Sequence, residues 1–255
     1  MKKITNEKII LSYAVLLFFV FFFNPFSEIL SFKNYLIVFS SFFPIYFAYK
    51  AYKFFGIKNY QGKSMFFIGL SMFFGGLGRF ILISESLNNL ISADIFFIFL
   101  RPFFGLGIFF ALKTINPEFY KDKKTILPLA FIGLAVSIIY VFLFQLKLNF
   151  NSYEKSLYSV YILLDAVLIA FVVIFFYLAY LVRKGLYKMV WLHLAIGAIF
   201  FGLSQSYYIY NPDSYVVGTV FDLGWGFGFL LFATAINSLL VLTKKIISIS
   251  KKKKN

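Results

Sequence analysis

Five charged side chains fall inside apolar runs of this chain: Arg79, Asp94, Arg101, Asp165 and Asp222. The chain has 22 lysines but three arginines, and two of those three, Arg79 and Arg101, are in the apolar runs. A guanidinium is a planar, weakly hydrated fork that grips a carboxylate or phosphate at two points, which an ammonium cannot do. The arginines therefore suit an anionic or zwitterionic solute, and the aspartates suit a cation or a proton. Asp94 and Arg101 stand seven residues apart, on one helical face and about 10 Å apart along the axis. Pro102 beside Arg101 removes an amide donor, so the carbonyl of Ile98 is expected to lose its usual partner.

Tyr161, His193, Gln205 and Trp225 are secondary candidates. Tyr161 shares a helical face with Asp165, as Trp225 does with Asp222, and His193 fits a proton relay or an interfacial donor. Convergence of Asp165 with Asp222 would allow acid–base chemistry. Other chemistries are excluded by residue type. The chain has no cysteine and one histidine, so thiol catalysis, disulfides and cysteine-ligated metals are ruled out, a histidine-based metal site is not expected, and no cofactor is expected. The glycine-rich pieces are not followed by Lys-Ser or Lys-Thr, so they are not phosphate loops.

The elements that must hold these residues are membrane spans. The chain is 61% hydrophobic and 23% aromatic with a mean hydropathy of +0.85, and its apolar runs reach the roughly 20 residues that cross about 30 Å of hydrocarbon. The expected fold is all-α, a bundle of eight transmembrane helices over about 9–26, 35–54, 64–84, 92–113, 126–146, 157–182, 189–209 and 215–242. Lys2, Lys3 and Lys8 precede the first run, but no small-residue cleavage pattern follows it, so that span is read as retained.

Basic residues set the orientation. With the N-terminus inside, 20 lysines and arginines fall in cytoplasmic segments and three (Lys33, Lys147 and Lys155) in outer ones, alternating at every loop. Both termini are then cytoplasmic, in a cell membrane, with a short basic tail over 243–255 against anionic headgroups. The net charge of +15 is explained by topology and implies no nucleic-acid partner. In this orientation all five buried charges lie in the outer half, Asp94 at about 3 Å, Arg79 and Asp222 near 8–9 Å, and Asp165 and Arg101 near 12–14 Å from the surface.

A charge at mid-membrane costs about 2.5–3.5 kcal/mol, so these five need partners or water. They are either ties between helices or the lining of an outward-facing polar site. The leading expectation is a small-solute or ion transporter or permease-like protein with its site in the outer half. The alternative is a sensor or accessory subunit that binds an external ligand and passes helix movement to a protein partner, since no segment is long enough for an output domain. Gly224-x-x-x-Gly228 and Ala198-x-x-x-Gly202 are expected at close helix contacts, and Trp191 and Trp225, with Tyr207, Tyr208 and Tyr210, partly in the interfacial belt, Trp225 lying deep enough to line a cavity instead. Most other aromatic residues are expected to face lipid. A short echo between 101–107 and 222–228 would fit a repeat of two four-helix halves, but it is mostly glycine and phenylalanine, both plentiful here, so chance accounts for it more readily.

Overall fold

A computed structural model of the protein describes residues 5–23, 30–84, 90–115, 186–210 and 219–252, with single residues and short helical stretches between 128 and 180. The helices are α1 (Asn6–Phe23), α2 (Leu30–Phe55), α3 (Tyr60–Ser84), α4 (Leu90–Ile115), α5 (Leu186–Tyr210) and, after a 3₁₀ turn at Val220–Asp222, α6 (Leu223–Lys252). There is no strand among the described residues. Five segments are long and apolar enough to cross a membrane: Asn6–Phe23, Tyr60–Ser84, Ala93–Thr114, Tyr187–Tyr208 and Val220–Ser250. The 26-residue α2 is not among them, because Lys33, Lys50 and Lys53 and several serines and tyrosines lower its hydropathy. The expected spans over 126–146 and 157–182 lie largely outside the described residues.

Local chemistry accounts for the α2–α3 corner. Gly56, at φ 76°, takes the left-handed conformation that ends a helix, and its N–H still donates to the Tyr52 carbonyl at 2.8 Å. Asn59 caps α3, its Oδ1 accepting the Gln61 amide at 2.9 Å. Gly62 is needed because a methyl there would run into the Gly56 carbonyl.

α3 packs between α2 and α4, and α6 packs against α5, α2 and α1. Gly224 and Gly228 press against α5 at the Phe200 and Gly197 carbonyls, so the expected small-residue face on α6 is real. Its counterpart on α5 is Gly197 rather than Gly202, which has open space around it. Among the described residues, exposed aromatic rings such as Phe18, Phe39, Phe73 and Phe99 outnumber buried ones, and a smaller set turns inward. Phe97, Phe104, Phe175, Phe229, Phe232 and Trp225 are fully buried, meeting in tilted and edge-to-face contacts. Trp191 is buried too, stacked on Phe175 with centroids 5.9 Å apart, so that neither it nor Trp225 sits in an interfacial belt. In lipid, rings gain little from mutual attraction over lipid contact, so shape and edge-to-face geometry decide which ones turn inward.

Both boundaries of the last span move. The last span was expected from 215, but its helical part starts at Val220, which places Asp222 at the head of α6 rather than two turns inside it. At its other end α6 continues to Lys252, so most of the basic tail is helical. Lysines in a last turn suit the negative end of the helix dipole.

The bundle has two chemically distinct ends. The starts of α3 and α5 and the end of α4 carry Lys63, Lys188 and Lys113 and form a lysine end. The end of α3, the start of α4, the end of α5 and the head of α6 carry Arg79, Asp94, Tyr208 and Asp222 and form an arginine end.

Candidate functional site

At the arginine end, Arg79 and Asp222 meet. Arg79 Nη2 lies 2.5 Å from Asp222 Oδ2, with the two side chains 0% and 1% exposed. The same nitrogen donates to Asn34 Oδ1 at 3.3 Å. The pair joins α3 to the head of α6 and the amide brings in α2. Gly76, one turn before Arg79, faces Ser41 of α2 so closely that a methyl would clash with its hydroxyl, and this closeness lets Asn34 reach the guanidinium. Asp222 also benefits from its place at the start of α6, where the helix dipole favours a carboxylate.

Asp94 lies on the neighbouring helix, 3% exposed, and Tyr208 of α5 donates its hydroxyl to Asp94 Oδ1 at 3.2 Å. Arg101, also 3% exposed, donates from Nη1 to the Phe97 carbonyl at 2.7 Å. Its side chain therefore turns back along α4 toward Asp94, the direction in which helical Cα–Cβ bonds lean. The carbonyl it reaches is one residue before the Ile98 carbonyl that Pro102 was expected to free. Ser71 strengthens the α3–α4 contact by donating to the Leu100 carbonyl at 2.8 Å.

Phe97 links these groups. Its ring lies 5.0 Å from Trp225 and 6.0 Å from Tyr208, and Trp225 is 4.4 Å from Phe201. Around this cluster sit two polar donors with no hydrogen-bond acceptor among the described residues, Gln205 Nε2 and Trp225 Nε1, in side chains 2% and 0% exposed. A buried donor without an acceptor costs about 1–3 kcal/mol. Thr219 Oγ1, just before the 3₁₀ turn, is a third buried polar atom in the same condition.

The candidate residues thus divide. Arg79 and Asp222 form one ion pair, while Asp94 and Arg101 sit on one face of α4 and engage Tyr208 and Phe97. Gln205 and Trp225 border the same layer. His193 does not belong to it. It lies on the early part of α5, toward the lysine end, with its Nδ1 buried and without a hydrogen-bond partner among the described residues. Asp165 and Tyr161 lie outside the described residues. Two partners were missed in the sequence. Asn34 fell just before the expected start of the second span at 35, although α2 begins at Leu30. Tyr208 was assigned to the interfacial belt yet is 5% exposed, and its spacing from Ser204 and Gln205 was the available signal, since three polar residues at helical spacing mark an inward face.

Among the described residues no group of histidine, aspartate and glutamate is arranged to hold a metal ion. No protein-family model matches this chain, and neither a curated protein nor a solved structure matches it.

Proposed function

We propose that this protein is a permease-like carrier of a small solute or ion, built on eight spans with both termini cytoplasmic in a cell membrane, and that the arginine end is its outer-half binding layer. The observation that carries the reading is the pair of buried donors, Gln205 Nε2 and Trp225 Nε1, beside a layer of charges. A layer made only to tie helices together needs every donor satisfied, because an unsatisfied one subtracts from the tie. A layer made to receive a solute keeps donors for that solute's oxygens, and such a site rejects molecules that cannot supply them. A zwitterionic or anionic solute fits best. Its acidic group would meet Gln205, Trp225 and the arginines, and Asp94 with Tyr208 would meet an amino group.

The test is uptake of radiolabelled amino acids, small carboxylates and monovalent cations into liposomes containing the purified protein. The reading expects accumulation of one class, lost in Gln205→Leu while that variant still folds. No uptake of any class, together with unchanged thermal stability of the wild type across the panel, would leave the buried charges as ties between helices and overturn it.

A further inference from the structure

At the lysine end, α3, α4, α5, α6 and Phe175 surround a cavity of about 250 Å³. Its inner part is apolar, lined by Ile68, Ile108, Leu194 and Ile236. No charged side chain is among the described lining residues. The lysines next to them in sequence turn elsewhere. The Lys63 ammonium lies over the Tyr60 and Phe110 rings, and that of Lys113 over Tyr60 and Phe109. The Thr114 hydroxyl at the mouth already donates to the Phe110 carbonyl at 3.0 Å. Ser64, also in the lining, differs. It is 0% exposed, and its hydroxyl has no hydrogen-bond partner among the described residues. The other described buried serines each have one: Ser40 and Ser41 donate to carbonyls of their own helix, Ser71 to the Leu100 carbonyl and Ser204 to the Phe221 carbonyl. Among these serines, only Ser64 lines the cavity.

We propose that this cavity binds an uncharged, mostly apolar molecule on the order of ten non-hydrogen atoms in size, with one hydroxyl or carbonyl that pairs with Ser64. Each part of that description comes from the walls. A charged group would give up its water and meet no opposite charge. Water filling the inner part needs roughly two to four polar partners, and the isoleucines and leucine there offer none. A pure hydrocarbon would suit those walls but leave the buried Ser64 hydroxyl without a hydrogen bond. The size follows from the volume, since an apolar cavity of about 150 Å³ takes up benzene and this one is larger by about two-thirds. The inference goes beyond the transport reading, because it concerns the other end of the bundle and depends on binding alone.

The probe is tritiated 2-naphthol, an uncharged bicyclic phenol of that size. Its binding is measured on the purified protein in phosphatidylcholine nanodiscs, with uptake by empty nanodiscs subtracted. The proposal expects saturable binding of one molecule per protein. Naphthalene, which lacks the oxygen, should compete about fivefold more weakly, the worth of one hydrogen bond. The anion 2-naphthoate should compete about tenfold more weakly or worse. Ser64→Ala should bring 2-naphthol down to the affinity of naphthalene and leave naphthalene unchanged. Ala235→Leu, at a lining position, should weaken both alike by filling the cavity. Ser64→Ala adds no bulk, so its comparison stands even where Ala235→Leu fails to fold. Four results would overturn the proposal. No saturable binding leaves the cavity to water or, where a phospholipid stays on the purified protein, to an acyl chain of the bilayer. Naphthoate that binds as tightly as naphthol denies an uncharged site. Equal affinity of naphthol and naphthalene in the wild type denies the bond to Ser64. Binding that neither substitution changes places the molecule elsewhere. Failure of uptake in the liposome assay leaves this binding result untouched, and the reverse also holds.

Discussion

Arg79 has what a guanidinium needs to remain charged without water, a carboxylate at 2.5 Å and an amide oxygen at 3.3 Å. Removing one member of a buried pair strands the other, which typically costs about 3–5 kcal/mol. Asp222→Asn and Arg79→Gln should therefore each lower stability by that order, read as a fall in thermal unfolding temperature in mild detergent. Arg79→Met combined with Asp222→Leu should recover most of the loss, since apolar replacement of a whole buried pair is often neutral or better. A double variant no more stable than either single one would show that the pair is not an isolated unit. The pairing was half legible in the sequence. Counting residues from the span ends put Arg79 and Asp222 at equal depth, but periodicity fixes a face on one helix and says nothing of which neighbour it meets. Asn34 was illegible for another reason: the polar start of α2 looked like loop, and packing rather than hydropathy makes it helical.

Among the elements, α6 organises the bundle, touching α1, α2 and α5 and presenting Asp222 and Trp225 at its head. Its close approach to α5 depends on Gly224, where a methyl would meet the Ser204 hydroxyl and the Phe200 carbonyl. Ser204 in turn donates to the Phe221 carbonyl at 2.5 Å and holds the 3₁₀ turn that aims Asp222 at Arg79. Gly224→Leu should separate α5 from α6, destabilising the protein by more than 1 kcal/mol as overpacked contacts do, on the order of 1–3 kcal/mol. Gly202→Leu, with open space around it, should be nearly neutral, and equal effects in unfolding experiments would contradict the described contact. Small-residue spacing was visible in the sequence, yet it gave the right face on α6 and the wrong glycine on α5. In a chain this rich in glycine and phenylalanine the motif recurs by composition, and only the crossing geometry decides which copy is used.

At the scale of the whole molecule, the helical, membrane-spanning character was written in hydropathy, and five segments of the structure have the required length and apolarity. The two-ended chemistry was partly visible, in the lysines that mark loops and the arginines placed inside spans. The cavity of about 250 Å³ at the lysine end was not, because its walls come from α3, α4, α5, α6 and Phe175 and each contributes mostly ordinary apolar residues. The eight-span proposal makes its own prediction: reporters fused at Met1 and Asn255 should both read as cytoplasmic, and reporters on opposite sides would break the alternation of basic loops. The central claim, that the charge layer at the arginine end is a solute site able to open and not a fixed tie, is tested most directly by cysteine labelling. The chain has no cysteine, so Gln205→Cys introduces a single thiol beside the layer. In cells, an impermeant maleimide should reach it slowly in the native background. With Asp222→Asn it should react about tenfold faster or more, equivalent to ~1.4 kcal/mol of easier opening. Ala233→Cys, deep in α6, should stay protected in both backgrounds, which separates opening of the layer from general unfolding. A Gln205→Cys thiol that reacts equally slowly in both backgrounds would contradict the account and leave the layer as a permanent tie.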